Sequence, residues 1–279
     1  SGDGYYLFTP YAQQRSMVSV RQRLYAQLRD LTNARVEPLT IVHGRGVTSG
    51  LLHLPANVPG PLPVILGVHQ LAGDKDDFDV ALSPFRAAGF ATCTIDLPGH
   101  GTLFDGPRLR ADDHEVAVAA LDHLATRPDI DARRMVVLGG SLGGLFALRT
   151  ASASPRAAAV VAYAAPFDIG SGIDLSVPGI QTNFRSVIGA GPNEPLGYRT
   201  HDFHLHTAVP RIRCPILVVH GTRDHICDFT ATYEVALRAR APVTVWPLIG
   251  ADHEAASPAT PQLAGPAIEW LTRLFLPQP

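Results

Sequence analysis

Lysine is nearly absent from this chain, and cysteine is scarce. Lys75 is the single lysine among 23 basic residues, an imbalance that reflects composition and indicates no particular chemistry. The three cysteines are too few and too widely spaced for a disulfide framework or a thiolate zinc site. No uninterrupted apolar stretch reaches the roughly eighteen residues that a membrane span needs. The sequence therefore predicts neither a disulfide-rich scaffold nor a membrane protein.

The charges of the chain nearly balance. Its 23 basic and 25 acidic residues give a formal net charge of −2, which removes any general electrostatic attraction to nucleic acid or to an anionic membrane. The first four residues lack the basic and apolar regions of a signal peptide. We therefore expect a cytoplasmic protein that acts on a small molecule. The sequence leaves open whether the protein forms a homodimer.

Apolar runs alternate with amphipathic stretches along most of the chain. Strands are predicted over Leu39–His43, Gly50–Leu54, Val64–His69, Ala91–Leu97, Met135–Leu138, Ala158–Ala164, Ile216–His220 and Val243–Pro247. Helices are predicted over Tyr11–Asn33, Asp112–Thr126, Leu142–Ala153, Phe229–Arg240 and Ala259–Leu274. This alternation predicts the α/β class, with a mostly parallel, doubly wound sheet.

Residues 167–209 interrupt the alternation. They are rich in Gly, Pro and Asn, and a structureless loop of this length is uncommon in a compact domain, so a small cap or lid insertion is predicted. The predicted division is an N-terminal helical segment (1–38), a core (39–166 and 210–279) and the cap (167–209). The cap's apolar residues predict an apolar pocket for an acyl or aromatic substrate; they are Phe167, Ile169, Ile173, Leu175, Ile180, Phe184 and Leu196.

A serine flanked by glycines lies between a predicted strand and a predicted helix. The segment Gly139-Gly140-Ser141-Leu142-Gly143 has the G-x-S-x-G form in the strand-turn-helix context that this motif requires. Glycine at the flanking positions removes clashes at the sharp turn, and the helix start supplies free N–H groups. The alternative is a glycine-rich turn that only packs well. The context favours a nucleophilic serine.

An aspartate and a histidine follow two later strands. Asp224 comes after the strand Ile216–His220, and His253 comes after the strand Val243–Pro247. The alternative for Asp224 is a turn residue that caps a helix, and a single loop histidine such as His253 is usually a solvated side chain. The order Ser, Asp, His, with each residue at a strand end, favours a catalytic triad.

Together these motifs resemble the α/β-hydrolase superfamily over roughly residues 39 to 276. The segment Asp96-Leu97-Pro98-Gly99-His100-Gly101 also matches the D-x-x-G-x-G loop of that superfamily. A narrower resemblance is to a lidded group that includes bacterial carbon–carbon bond hydrolases acting on diketones and fungal hydrolases that shorten pigment precursors. The resemblance implies the α/β-hydrolase fold, with Ser141 as nucleophile, Asp224 as acid and His253 as base, and no cofactor.

The resemblance also implies an oxyanion hole, which holds the negative oxygen of the reacting carbonyl. The superfamily loop after the third strand usually reads His-Gly-x, and Gln70 stands here where glycine is expected. The predicted donors are the amides of Leu142 and Leu71, with Gln70 as the alternative to Leu71. His69 is expected to organise this loop, and it is grouped with Phe167 and Phe184 as a substrate-binding residue.

Other residues carry open alternatives. The histidines of the predicted cap are compatible with a metal, a substrate contact or a solvated face, and no metal site is predicted because no ligand set is complete; they are His201, His204 and His206. Aromatic residues near the start of the chain form either a structural anchor or a pocket wall; they are Tyr5, Tyr6, Phe8 and Tyr11.

The predicted reaction is hydrolysis of a carboxylic ester or thioester through an acyl-enzyme intermediate. The triad does not choose the leaving group, so cleavage of a carbon–carbon bond in a β-diketone or polyketide-like substrate stays open. His201, His204 or Arg185 would then stabilise the carbanion. A binding protein without catalysis is the alternative from another class. Activity is expected to rise near pH 6.5, where an unperturbed histidine loses its proton.

Overall fold

The computed structural model describes residues 18–27, 35–55, 58–253 and 261–275, which contain one eight-stranded sheet. Its strands are β1 (Arg35–His43), β2 (Gly46–Leu54), β3 (Leu62–Val68), β4 (Ala91–Ile95), β5 (Ile130–Gly140), β6 (Ala157–Tyr163), β7 (Ile216–Gly221) and β8 (Val243–Leu248). The strand order is β1-β2-β4-β3-β5-β6-β7-β8. Strand β2 is antiparallel to both neighbours, and all other pairs are parallel. Every predicted strand is present.

Helices cover both faces of the sheet. They are α1 (residues 18–27), α2 (Lys75–Ala81), α3 (Ser83–Ala87), α4 (His114–Leu124), α5 (Leu142–Ala153), α6 (Pro178–Ile188), α7 (Leu196–Thr200), α8 (Thr230–Arg238) and α9 (Pro261–Phe275). The sequence analysis missed α2 and α3. Their signals are the Asp74 side chain, which accepts from the amides of Asp76 and Asp77 at the start of α2, and Pro84 in the first turn of α3.

Side chains of the central strand β5 alternate between two buried clusters. Met135 and Val137 belong to a cluster that includes residues of α4 and α5. Val136 and Leu138 belong to the other cluster, with residues of α2, α3 and α9. Because successive side chains of a strand point to opposite faces, β5 is buried on both sides. This explains why the part of the strand from Met135 to Leu138 is a continuous apolar run in the sequence.

Helix α1 is tied to the start of α2 by charge. Arg21 Nη2 lies 2.5 Å from Asp74 Oδ2, and Arg21 Nη1 lies 2.7 Å from Asp77 Oδ2. The Tyr25 hydroxyl donates to Asp77 Oδ1 at 3.0 Å. These contacts place α1 beside the loop that follows β3. The rest of the predicted helix Tyr11–Asn33 and the aromatic residues Tyr5, Tyr6, Phe8 and Tyr11 lie outside the described residues.

The predicted cap, residues 167–209, contains α6, α7 and a short 3₁₀ turn (Ile173–Leu175). Asp174 holds the start of α7, because its carboxylate accepts from the amides of Leu196 and Gly197, both at 3.0 Å. Phe203 contacts Phe184 of α6 and Phe146 of α5 edge-on. The segment is therefore ordered and packs against the helix that follows β5.

Candidate active site

Ser141 occupies a strained turn between β5 and α5. Its backbone φ of 52° lies in the left-handed region that residues with a Cβ rarely adopt. A Cβ at Gly139 would overlap the Gly143 carbonyl, and a Cβ at Gly143 would overlap the Val68 carbonyl. Both glycines of the G-x-S-x-G segment are thus required by close backbone contacts. The turn brings the serine hydroxyl to the carboxyl edge of the sheet.

His253 connects Ser141 to Asp224. Its Nε2 lies 3.1 Å from Ser141 Oγ, and its Nδ1 lies 2.7 Å from Asp224 Oδ2. The other carboxylate oxygen, Asp224 Oδ1, accepts from the amides of Ile226 at 2.9 Å and Cys227 at 2.8 Å. The structure therefore brings the three predicted residues into one hydrogen-bonded row.

The negative charge of Asp224 and the positive charge of protonated His253 stabilise each other. Burial by itself raises the pKa of Asp224, but hydrogen bonds from His220 and His253 outweigh it and hold that pKa below its usual value. Burial by itself lowers the pKa of His253. Its hydrogen bond to Asp224 and its contact with Cys227 outweigh burial and raise that pKa to about 10. The histidine is therefore a stronger base than a free imidazole.

Two of the three predicted oxyanion donors face the same cavity as Ser141. Leu71 and Leu142 line this cavity, whereas Gln70 does not. Among the residues that the structure describes, neither the Leu71 amide nor the Leu142 amide has a protein acceptor. The backbone N–H groups at these positions are therefore available to a ligand in the cavity.

His69 lies outside the cavity lining, contrary to its predicted substrate contact. It is fully buried, with Nδ1 2.8 Å from the Gln70 carbonyl, and its Nε2 accepts from the Leu97 amide at 3.1 Å. Burial keeps the pKa of His69 below its usual value, so the ring is neutral. The bonds of His69 to the Gln70 carbonyl and the Leu97 amide fit its expected role of organising the loop that carries Leu71.

A cavity of about 340 Å³ opens beside Ser141. Its apolar wall includes five of the seven residues that the sequence analysis assigned to the pocket: Phe167, Ile169, Ile173, Ile180 and Phe184. The other two were wrong, since Leu175 is 92% exposed and Leu196 is buried away from the cavity. Among the described residues, three carboxylates also line the cavity and no lysine or arginine does: Asp168, Asp228 and Glu234.

The family of the chain follows from comparison with known sequences. Residues 77–241, more than half of the chain, match the prolyl oligopeptidase family. The chain belongs to this family. The family is named for an oligopeptidase, and curated relatives of the chain are named as a hydrolase and an esterase.

Two curated relatives of this prolyl oligopeptidase family member carry hydrolase names. The 2,6-dihydropseudooxynicotine hydrolase of Paenarthrobacter nicotinovorans is 28% identical over 169 residues, 60% of this chain and 46% of the relative. The acetyl esterase Axe7A of Xylanibacter ruminicola is 30% identical over 138 residues, 49% of this chain and 29% of the relative. The chain thus spans less than half the length of these relatives.

A solved structure shares the fold. The crystal structure of a 2,6-dihydroxy-pseudo-oxynicotine hydrolase aligns with a TM-score of 0.82 at 24% identity, covering 91% of this chain and 72% of the other. This likeness confirms the predicted α/β-hydrolase fold. In the described part of this prolyl oligopeptidase family member, no helix is long and apolar enough to cross a membrane.

The single lysine of this family member lies in a buried ion pair next to the site. Lys75 donates to Asp96 Oδ1 from its amide and to Asp96 Oδ2 from Nζ, both at 3.0 Å. Asp96 also accepts from the Thr102 amide at 2.9 Å, and a Cβ at Gly101 would overlap its carboxylate. These contacts join the D-x-x-G-x-G loop to the start of α2. Lys75 thus has a structural role that composition did not indicate.

The cap residues proposed for carbanion stabilisation lie away from the cavity. Arg185 donates to the carbonyls of Gly191 and Glu194, and His201 Nδ1 lies 2.7 Å from the Tyr198 carbonyl. His204 does not line the cavity. Among residues 18–27, 35–55, 58–253 and 261–275, no group of three His, Cys, Asp or Glu side chains is arranged to hold a metal.

Sequence reasoning missed two residues beside the row. Cys227 lines the cavity and contacts His253, and His220 lies 3.1 Å from Asp224. The only sequence signal for either is its position. His220 is the next-to-last residue of β7, shortly before the turn that carries Asp224, and Cys227 lies three residues after that aspartate.

Proposed function

We propose that this protein is a serine hydrolase that cleaves a carboxylic ester or thioester through an acyl-enzyme intermediate. The observation that carries the proposal is the position of His253, within hydrogen-bond distance of both Ser141 Oγ and Asp224 Oδ2. A base that contacts a hydroxyl on one side and a carboxylate on the other is the arrangement that activates serine.

The proposed reaction begins with attack of Ser141 Oγ on the substrate carbonyl. The hydroxyl proton passes to His253 Nε2, and Asp224 accepts the Nδ1–H bond and stabilises the imidazolium. His253 then returns the proton to the leaving oxygen or sulfur, which departs and leaves an ester of Ser141. Water attacks this ester with His253 again as base, and the acid is released.

The amides of Leu142 and Leu71 are the proposed oxyanion donors. Both residues line the cavity with Ser141, and their N–H groups are free of protein acceptors in the described chain. Donors fixed before the reaction stabilise the negative oxygen of the tetrahedral intermediate without reorganisation. Each such donor is typically worth about 3–4 kcal/mol of transition-state stabilisation.

The cavity favours an uncharged acyl group of medium size. Its wall is mainly apolar, and burial of apolar surface supplies the binding free energy. Hydrogen bonds from Thr230 hold the pKa of the lining residue Asp228 below its usual value, so Asp228 is ionised at neutral pH. Glu234 is paired with Arg238 at 2.7 Å, but among the described residues no lysine or arginine pairs with Asp168 or Asp228, so a substrate that carries its own carboxylate is disfavoured.

Ester or thioester cleavage is favoured over carbon–carbon cleavage by the cavity lining. A departing carbanion needs a group that stabilises it, and the three residues considered for this, Arg185, His201 and His204, are not in the lining. An oxygen or sulfur leaving group needs only the proton that His253 carries. The name of the acetyl esterase Axe7A among the relatives agrees with this choice.

Labelling and turnover together test the proposal. The wild type and Ser141→Ala are treated with a fluorophosphonate probe and assayed with p-nitrophenyl esters of graded length, thioesters and a β-diketone panel. We expect labelling at Ser141, turnover of the mid-length esters, and loss of both in Ser141→Ala. Retained turnover in Ser141→Ala, or β-diketone cleavage faster than that of every ester, contradicts the proposal.

A matched ester pair tests the charge preference. The p-nitrophenyl ester of pentanoic acid and the mono-p-nitrophenyl ester of glutaric acid have the same acyl chain length, and only the second carries a carboxylate. We expect kcat/KM for the glutaric ester to be lower by about tenfold or more. Equal values for the two esters overturn the charge argument and leave the triad untouched.

A further inference from the structure

His220 is a buried histidine whose ring contacts the carboxylate of Asp224. It is the fifth residue of β7 and is fully buried. Its Nε2 lies 3.1 Å from Asp224 Oδ2 and 2.8 Å from the Cys227 carbonyl oxygen. Asp224 Oδ2 is also the oxygen that His253 contacts at 2.7 Å. One carboxylate oxygen therefore faces two imidazole rings.

A hydroxyl behind the ring sets the hydrogen position of His220. Thr232 Oγ1 of α8 lies 3.1 Å from His220 Nδ1, and both side chains are buried. The two oxygens at Nε2 are acceptors, so the ring proton belongs on Nε2, where it is shared between them. Nδ1 then accepts from the Thr232 hydroxyl. This arrangement gives both ring nitrogens of His220 a hydrogen-bond partner.

We propose that His220 is a positioning residue that shares Asp224 Oδ2 with His253 and so limits how strongly Asp224 holds the catalytic base. The proposal rests on the function proposed above. A second donor disperses the negative charge of an acceptor oxygen, which weakens the bond to the first donor. Asp224 thereby orients His253 without retaining its proton too tightly for the return to the leaving group.

The groups that face this cluster determine its response to pH. They are His253 from the loop after β8, Cys227 and Asp228 from the loop after β7, and Asp224 itself. Thr232 and Phe229 face the other side of the His220 ring and do not titrate. Among the described residues, removal of the His220 N–H leaves His253 as the sole side-chain donor to Asp224 Oδ2.

Loss of the His220 N–H should shift the pH dependence of the reaction in one direction. Asp224 then stabilises the His253 imidazolium more strongly, so His253 loses its proton at higher pH. The acid limb of the pH profile of kcat/KM moves upward, by at least about half a pH unit. Activity at neutral pH falls several-fold, because less of the base is neutral there, and it recovers toward the wild-type value on the alkaline plateau.

Four variants test the inference. His220→Leu removes the donor, and His220→Gln keeps an N–H near the position of Nε2. Thr232→Val removes the hydroxyl that fixes the ring proton, and His225→Leu removes an exposed histidine of the same loop as a matched control. We expect the acid limb to shift upward in His220→Leu, to shift less in Thr232→Val, and to stay within about 0.2 pH unit in His220→Gln and His225→Leu. Titration of the His253 ring ¹⁵N signals reads the same shift without substrate.

The outcomes separate this inference from the function on which it rests. A wild type with no turnover dependent on Ser141 defeats the proposed function. Turnover dependent on Ser141 together with an unmoved or lowered acid limb in His220→Leu defeats only the role of His220, and a uniform loss of rate at every pH assigns it packing alone. If His220→Leu does not fold, Thr232→Val decides by the same criterion.

Discussion

His253 Nε2 lies 3.1 Å from Ser141 Oγ, although 112 positions separate the two residues in the sequence. The contact exists because β5 and β8 are both parallel strands that end at the same edge of the sheet. The loops after these strands therefore meet. Any change that alters this edge alters the contact, whereas changes at the opposite edge leave it intact.

The strain at Ser141 gives a prediction that combines stability with activity. Ser141→Ala keeps a Cβ at a φ of 52°, and Ser141→Gly relieves that strain. Both variants should lose turnover by about 10⁴-fold or more, because the nucleophile is gone. Urea unfolding should show Ser141→Gly to be more stable than Ser141→Ala by about 1 kcal/mol. Equal stability would show that the turn is not strained.

Replacement of Asp224 by asparagine tests the charge and acceptor role of the carboxylate, because the side chain keeps its size. Asp224→Asn keeps the size of the side chain but presents an amide to His253, which favours the wrong ring tautomer. We expect kcat to fall by about 10⁴-fold. The matched control is Asp122→Asn, an exposed aspartate paired with Arg156 on the surface, with an expected change below twofold. Comparable losses in the two variants would refute the assigned role of Asp224.

The activity is predicted to increase with pH. His253 acts as a base only in its neutral form, and the Asp224 contact raises its pKa above the 6.5 of a free histidine. Activity should therefore rise with pH, and the midpoint of kcat/KM should lie above 6.5. The expectation of a rise near pH 6.5, made from the sequence, assumed an unperturbed ring. A midpoint at or below 6.5, measured with a neutral ester, would contradict the geometry.

The buried pair of Lys75 and Asp96 predicts a large loss of stability. Lys75→Met leaves the carboxylate of Asp96 buried without its cation, which should cost about 3–5 kcal/mol of unfolding free energy. The control is Arg133→Ala, since Arg133 pairs with Asp131 but is 90% exposed, and its expected cost is below about 1 kcal/mol. Urea denaturation monitored by circular dichroism measures both.

Much of the fold is predictable from this sequence because buried parallel strands carry strong local signals. Helix α5 begins directly after the serine and was predicted with the same bounds. The apolar part of β5 was predicted as Met135–Leu138, whereas the strand begins five residues earlier, at Ile130, and ends two residues later, at Gly140. Helices α2 and α3 were missed because α2 begins with acidic residues whose helical signal is a single capping aspartate, Asp74. Short helices held mainly by capping and ion pairs lack the periodicity that marks longer ones.

The candidate site likewise contains residues that the sequence predicts and residues that it does not. Ser141, Asp224 and His253 follow strands, so the topology alone predicts that they meet. His220 and Cys227 have no such marker, since their importance depends on which way their side chains turn. The substrate contact predicted for His69 fails for a related reason. Its ring turns into the protein to bind the backbone of Gln70 and Leu97, a choice that no local pattern encodes.

The ion pair between Arg21 and Asp74 has a practical consequence for shortened versions of the protein. A fragment that starts at residue 35 retains all eight strands of the sheet, yet it deprives a buried carboxylate of its counter-ion. Burial already raises the pKa of Asp74, so such a fragment would tend to take up a proton there and loosen the first turn of α2. Domain boundaries chosen for crystallisation or directed evolution should therefore begin upstream of residue 18, even though the sheet itself would suggest a later start.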